Sequence, residues 1–170
     1  MSGIVTLVGN PRAQSKTRAV AVEAAEAIGR HTGLAAEEVV DLSAIAPQLF
    51  SPGPSPGVEA ALELVAGASV LVVASPTYKA SYTGLLKAFL DRLPPNALSG
   101  TVALPLLVMG DPRHALAVEL HLRPVLVELG ATVPTPGLAV VEAELPDLAD
   151  LLKRWAEQVA PQVTAATERR

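Results

Sequence analysis

Ser75-Pro76-Thr77-Tyr78-Lys79-Ala80-Ser81-Tyr82-Thr83-Gly84-Leu85-Leu86-Lys87 is the stretch on which the reading of the fold turns. It follows an apolar β-like run, Ser69 to Ala74, and leads into a helix-like run that reaches Leu93. A strand that ends in proline, hydroxyls and an aromatic, then becomes a helix, makes a ligand-binding edge in an α/β protein. Both tyrosines of a chain that is 3% aromatic lie here, so bulk filling alone does not account for them.

The same alternation extends in both directions. Upstream, Val5 to Val8 reads as a short buried strand, followed by the turn Gly9-Asn10-Pro11-Arg12. A helix from Ser15 to about His31 places Val20, Ala24, Ala27 and Ile28 on one face, and Gly33 marks its end. Glu37 to Leu42 reads as the second strand, and the Pro/Gly-dense Phe50 to Gly57 as a surface loop. Val58 to Ala68 is helical and Val70 to Ala74 is the third strand.

Downstream, the helix Tyr82 to Leu93 breaks at Pro94-Pro95. Val102 to Met109 is a fourth apolar strand, closed by Gly110-Asp111-Pro112. His114 to Leu129 reads as a helix that Pro124 should kink. Leu138 to Val141 is the last strand, Leu145 to about Val159 the last helix, and Thr164 to Arg170 a polar, frayed tail.

Strands alternating with helices along the whole chain imply a doubly wound parallel sheet. Five strands in 170 residues indicate the flavodoxin-like α/β version, order 2-1-3-4-5, with helices on both faces. Residues 1–163 form one domain and 164–170 the tail. In such a sheet the ligand sits at the carboxyl ends of the strands, where the winding reverses between the first and third. The Gly9 to Thr17 loop and the Ser75 to Tyr82 stretch both fall there.

Composition narrows the function. Half the residues are hydrophobic and 18% are charged, which suits a packed core. No apolar stretch reaches the roughly 18 residues that span a bilayer, and the N-terminus has no basic region of a signal peptide. A cytoplasmic protein with no membrane partner is expected. The absence of cysteine excludes disulfides and thiol catalysis. A net charge of −4 argues against a nucleic-acid partner.

The first loop, Gly9 to Thr17, has the parts a phosphate needs: backbone N–H groups opening a helix, the hydroxyls of Ser15 and Thr17, and the Arg12 guanidinium. It lacks the Gly-Lys-Ser/Thr ending of a P-loop and the glycine spacing of a dinucleotide fingerprint. The plainer reading is a strand-to-helix turn with Ser15 as N-cap. In the second loop, Pro76-Thr77-Tyr78-Lys79 offers backbone groups and an aromatic ring to a planar heterocycle. The alternative is a tight turn with Tyr82 anchoring the helix. In the third, Gly110 allows close backbone approach, Asp111 suits an N-cap, and His114 suits either a ligand contact or a surface role. His121 follows His114 by two helical turns, but nothing else supplies metal-ligand spacing. No nucleophile triad or carboxylate pair stands out, so no catalytic side chain is assigned. Such a site suits a cofactor that carries the chemistry itself.

Gly9-Asn10-Pro11-Arg12 through Ser15 and Thr17, together with Ser75 to Gly84, closely resemble the NADPH-dependent FMN reductases. The likeness extends to His114-Ala115-Leu116-Ala117 and Leu122-Arg123-Pro124-Val125-Leu126 and covers nearly the whole chain. It implies a small flavodoxin-like enzyme in which NADPH, or NADH, delivers hydride to N5 of FMN. The reduced flavin then goes to a flavin-dependent monooxygenase, and the subunits form a homodimer or homotetramer. By position, Asn10, Pro11, Arg12, Ser15 and Thr17 would hold the FMN phosphate. Pro76, Thr77, Tyr78, Lys79 and Ser81 would line the ring, with Gly110, Asp111 and His114 at its other edge. Gly110-Asp111-Pro112-Arg113 departs from the Gly-Gly-Ser/Thr turn usual in that family, and Asn10 stands where a small hydroxyl residue is common. Two other functions fit the same residues: a quinone, azo or metal-oxyanion reductase with FMN held as a prosthetic group, and a flavin-binding protein without reductase activity.

Overall fold

The computed structural model describes residues 3–36 and 38–169. Glu37, expected to begin the second strand, lies outside the described residues, as do Met1, Ser2 and Arg170. Five strands form one parallel sheet: β1 (Ile4–Val8), β2 (Glu38–Asp41), β3 (Val70–Pro76), β4 (Val102–Met109) and β5 (Leu138–Val141). Their order is β2-β1-β3-β4-β5, the flavodoxin-like order expected. Every residue of β1, β3 and β4 is buried, because helices cover both sides of the central strands. The edge strands β2 and β5 are four residues each and only partly buried.

Alternate strand residues feed two separate cores. Ile4, Val8, Val70, Val72, Leu104 and Leu106 face α1 (Lys16–Thr32) and α5 (Leu148–Thr167). The face of α1 is nearly all alanine and valine, with Val20, Ala24, Ala27 and Ile28 buried as their spacing predicts, so the helix lies close to the sheet. Val5, Leu7, Leu71, Val73, Leu107 and Met109 face the other way, onto α2 (Pro56–Ala66), α3 (Gly84–Leu90) and α4 (Arg123–Glu128). Phe89 and Leu86 of α3 fill that side.

The ends of α1 follow local chemistry. Ser15 is the N-cap, its hydroxyl accepting from Arg18 N at 3.1 Å. Gly33 ends the helix with φ 74°, and its N–H donates to Gly29 O. Other helix ends differ from expectation. The third helix starts at Gly84 rather than Tyr82, because Thr83 caps it by accepting from Leu86 N. The second starts at Pro56, taking residues from the expected loop; proline suits a first turn. The last helix runs through Pro161 to Thr167 instead of stopping near Val159. Its apolar face continues to the fully buried Val163.

The expected kink at Pro124 takes another form. Pro112–His114 makes a 3₁₀ turn, Val118–Leu122 a π-helical turn, and α4 begins only at Arg123. Pro124 has no N–H for the Leu120 carbonyl, and the turn before it widens so that Arg123 N–H reaches Val118 O. Among the described residues no helix is long and apolar enough to cross a membrane.

Candidate functional site

A cleft of about 300 Å³ opens at the carboxyl ends of the central strands, where the winding reverses. The first loop contributes Asn10, Arg12, Ala13, Gln14, Ser15, Lys16 and Thr17. Pro76 and Tyr78 come from the end of β3 and the turn after it, Val108 from β4, and Glu142 from the end of β5.

Asn10 shapes the first loop. It is buried; its Nδ2 donates to Thr17 Oγ1 at 3.1 Å, and its Oδ1 accepts from Arg12 N at 2.9 Å. The one side chain thus ties the start of the loop to both Arg12 N–H and the Thr17 hydroxyl. Gln14 turns the chain with φ 51° just before the Ser15 cap. Ser15 and Thr17 hydroxyls act as acceptors within the loop, and each keeps a proton to donate. Arg12 is exposed and makes no ion pair among the described residues. The donor set and the α1 N-terminus therefore suit an anion.

The second loop is tied to the first by hydroxyls. Thr83 Oγ1 donates to Gly9 O, and Thr83 N donates to Ser75 Oγ at 3.0 Å. Gly9 N donates to Ala74 O, and a Cβ on Gly9 would lie 2.6 Å from Leu86 Cβ, so only glycine lets the two segments meet. Between them, Tyr78 and Ser81 exchange backbone hydrogen bonds around Lys79 and Ala80, which have φ 51° and 65°. Two non-glycine residues in that region make a strained turn of the I′ kind. Tyr78 is 42% exposed and lines the cleft, whereas Tyr82 packs on the α3 side of the core. Thr77 Oγ1, next to Pro76 and Tyr78, is buried without a partner.

The third loop stands apart. Asp111 accepts from Arg113 N at 2.9 Å and pairs with its guanidinium at 3.1 Å, so its charge is spent on its own turn. Six of the thirteen expected site residues line the cleft: Asn10, Arg12, Ser15, Thr17, Pro76 and Tyr78. Pro11, Thr77, Lys79, Ser81, Gly110, Asp111 and His114 do not. Ala13, Gln14, Lys16, Val108 and Glu142 also line it and were not among the expected residues. Lys16 was within reach as a cation between two assigned hydroxyls. Glu142 carries no local signal; it arrives because β5 runs level with β4, with Met109 paired to Val141.

The profile of the NADPH-dependent FMN reductases matches residues 3–145. The chain belongs to that family. An FMN reductase (NADPH) of Escherichia coli strain K12 is 37% identical over 147 residues, covering 85% of this chain and 75% of that one. An NADH-dependent FMN reductase, SfnF, of Pseudomonas putida is 32% identical over 145 residues, covering 82% and 78%. Among solved structures, the apo form of the NADH:FMN oxidoreductase EMOB superposes with a TM-score of 0.80 at 32% identity. That match covers 94% of this chain and 89% of the other. The chain is thus similar in sequence to FMN reductases named for either nucleotide.

Proposed function

We propose that this chain is an NAD(P)H-dependent FMN reductase that releases its reduced flavin. The observation that carries the proposal is the unpaired Arg12 at the α1 N-terminus, opening on one cleft with Pro76 and Tyr78. Arg12 and the Ser15 and Thr17 hydroxyls would hold the flavin phosphate. Asn10 keeps those groups in place from beneath. Pro76 and Tyr78 would border the ring. The bound flavin supplies the redox chemistry, its N5 accepting hydride from the nicotinamide. Binding and orientation are this chain's part in it. The third loop lies outside the cleft, which supports an open ring face for the nucleotide.

In a cytoplasmic setting the reduced flavin would pass to a flavin-dependent monooxygenase. The exposed Leu116, Leu120 and Val127 form an apolar face suited to a second copy of the chain.

The test is NADPH and NADH oxidation by the purified chain, with and without FMN. Oxidation that saturates with added FMN supports the proposal; flavin binding with no oxidation defeats it. Quinone turnover by a flavin that stays bound would establish the prosthetic-group function instead. The Arg12→Ala, Ser15→Ala double variant should bind FMN about a hundredfold more weakly by fluorescence titration, with two charge-assisted contacts removed. Unchanged affinity would remove the phosphate assignment.

A further inference from the structure

Lys16 stands in the first turn of α1 with its ammonium 2.6 Å from Glu142 Oε2. Both side chains line the cleft that Arg12, Ser15 and Thr17 also line. The pair links residues 126 apart in sequence, joining the phosphate loop to the end of β5. A carboxylate in a cleft suited to an anion needs a reason. Local folding does not provide one: Val141 N donates to Glu144, not Glu142, at 2.8 Å. Among the described residues Lys16 is the one partner of Glu142. Both side chains are exposed, and such pairs add little to stability. Next to a phosphate the same carboxylate withholds a cation from the ligand and adds repulsion.

We infer that Glu142 is an internal competitor for Lys16. On flavin binding Lys16 exchanges the Glu142 carboxylate for the phosphate, and on release it returns. Lys16 is then a specificity residue for phosphorylated flavin. Glu142 is a positioning residue, acting through Lys16, that keeps the grip weak enough for release. The inference rests on the phosphate assignment above.

The experiment measures FMN and riboflavin affinities by fluorescence titration and FMN dissociation by stopped flow. Glu142→Gln should tighten FMN about fivefold to tenfold, mainly through slower dissociation, and leave riboflavin unchanged. Lys16→Gln should weaken FMN, and in that background Glu142→Gln should gain no more than about twofold. Unchanged FMN affinity in Glu142→Gln, an equal shift for riboflavin, or a full gain without Lys16 would overturn the exchange. Arg12→Ala separates the two possible failures. If it weakens FMN alone while Glu142→Gln has no effect, only the exchange is lost. If Arg12→Ala leaves FMN unaffected and the unaltered chain binds FMN and riboflavin alike, the phosphate assignment falls and the exchange with it.

Discussion

The loops after β1 and β3 are held to each other, whereas the segment after β4 is held away from them. Thr83 joins the first two through Gly9 O and Ser75 Oγ, using neutral hydroxyls beside the cleft. After β4 the anchoring is ionic and remote. Glu119 pairs with Arg123 and accepts from Gly137 N, while Arg123 donates to Val133 O at 2.9 Å and to Thr135 O. That clamp joins the π-helical turn to the approach to β5, whereas Asp111 caps and pairs within its own turn. One region therefore builds the cleft and the other braces the fold around it.

The largest effect should come from Gly9→Ala. Its Cβ would meet Leu86 Cβ at 2.6 Å, and prying the two loops apart should cost roughly 3 kcal/mol and most of the flavin affinity. Urea unfolding and FMN titration read both. Thr83→Ala comes next, losing the α3 cap and the tie to Gly9, about 2 kcal/mol in all, with Thr83→Ser largely restoring it. Should Thr83→Ala leave FMN binding untouched, the two-region contrast breaks.

Glu119→Gln sharpens the contrast through pH. Its hydrogen bonds from Arg123 and Gly137 hold the Glu119 carboxyl below its ordinary value despite partial burial. A depressed folded pKa gives stability that is present above the unfolded value and lost as pH falls through the folded one. Glu119→Gln should thus cost about 1 to 2 kcal/mol at neutral pH, less in acid, with FMN affinity at neutral pH unchanged. Denaturant melts at several pH values check this. Asp111→Asn should do least: asparagine caps the same turn, so stability should stay within about 0.5 kcal/mol and FMN affinity within about twofold. A large loss of affinity there would bring the third loop back into the site.

The sheet order was legible because five strand-like runs, the central ones continuously apolar, alternate with periodic helices, and those signals are local. The Ser15 cap and the Gly33 stop were equally local. What escaped depends on partners far along the chain. The tie between Thr83 and Gly9 O joins residues 74 apart and has no local signal. Pro161 reads as a breaker until the buried face of α5 is seen to continue to Val163. Of the residues lining the cleft, Arg12, Ser15 and Thr17 are hydroxyls and a cation readable at a helix start, whereas Glu142 arrives only through strand register. Family position put Gly110, Asp111 and His114 at the ring, and the altered loop does not reach the cleft.

The short outer strands have a consequence for how copies of this chain meet. β2 begins with the exposed Glu38 and ends at Asp41, and β5 stops after four residues at Val141, with Glu142 directly after it. Each rim is thus a brief ladder with acid at its end, a poor template for a neighbour's strand and a safeguard against runaway stacking in crowded solution. The exposed apolar side chains stand elsewhere, Leu116 and Leu120 among them, away from the sheet rims.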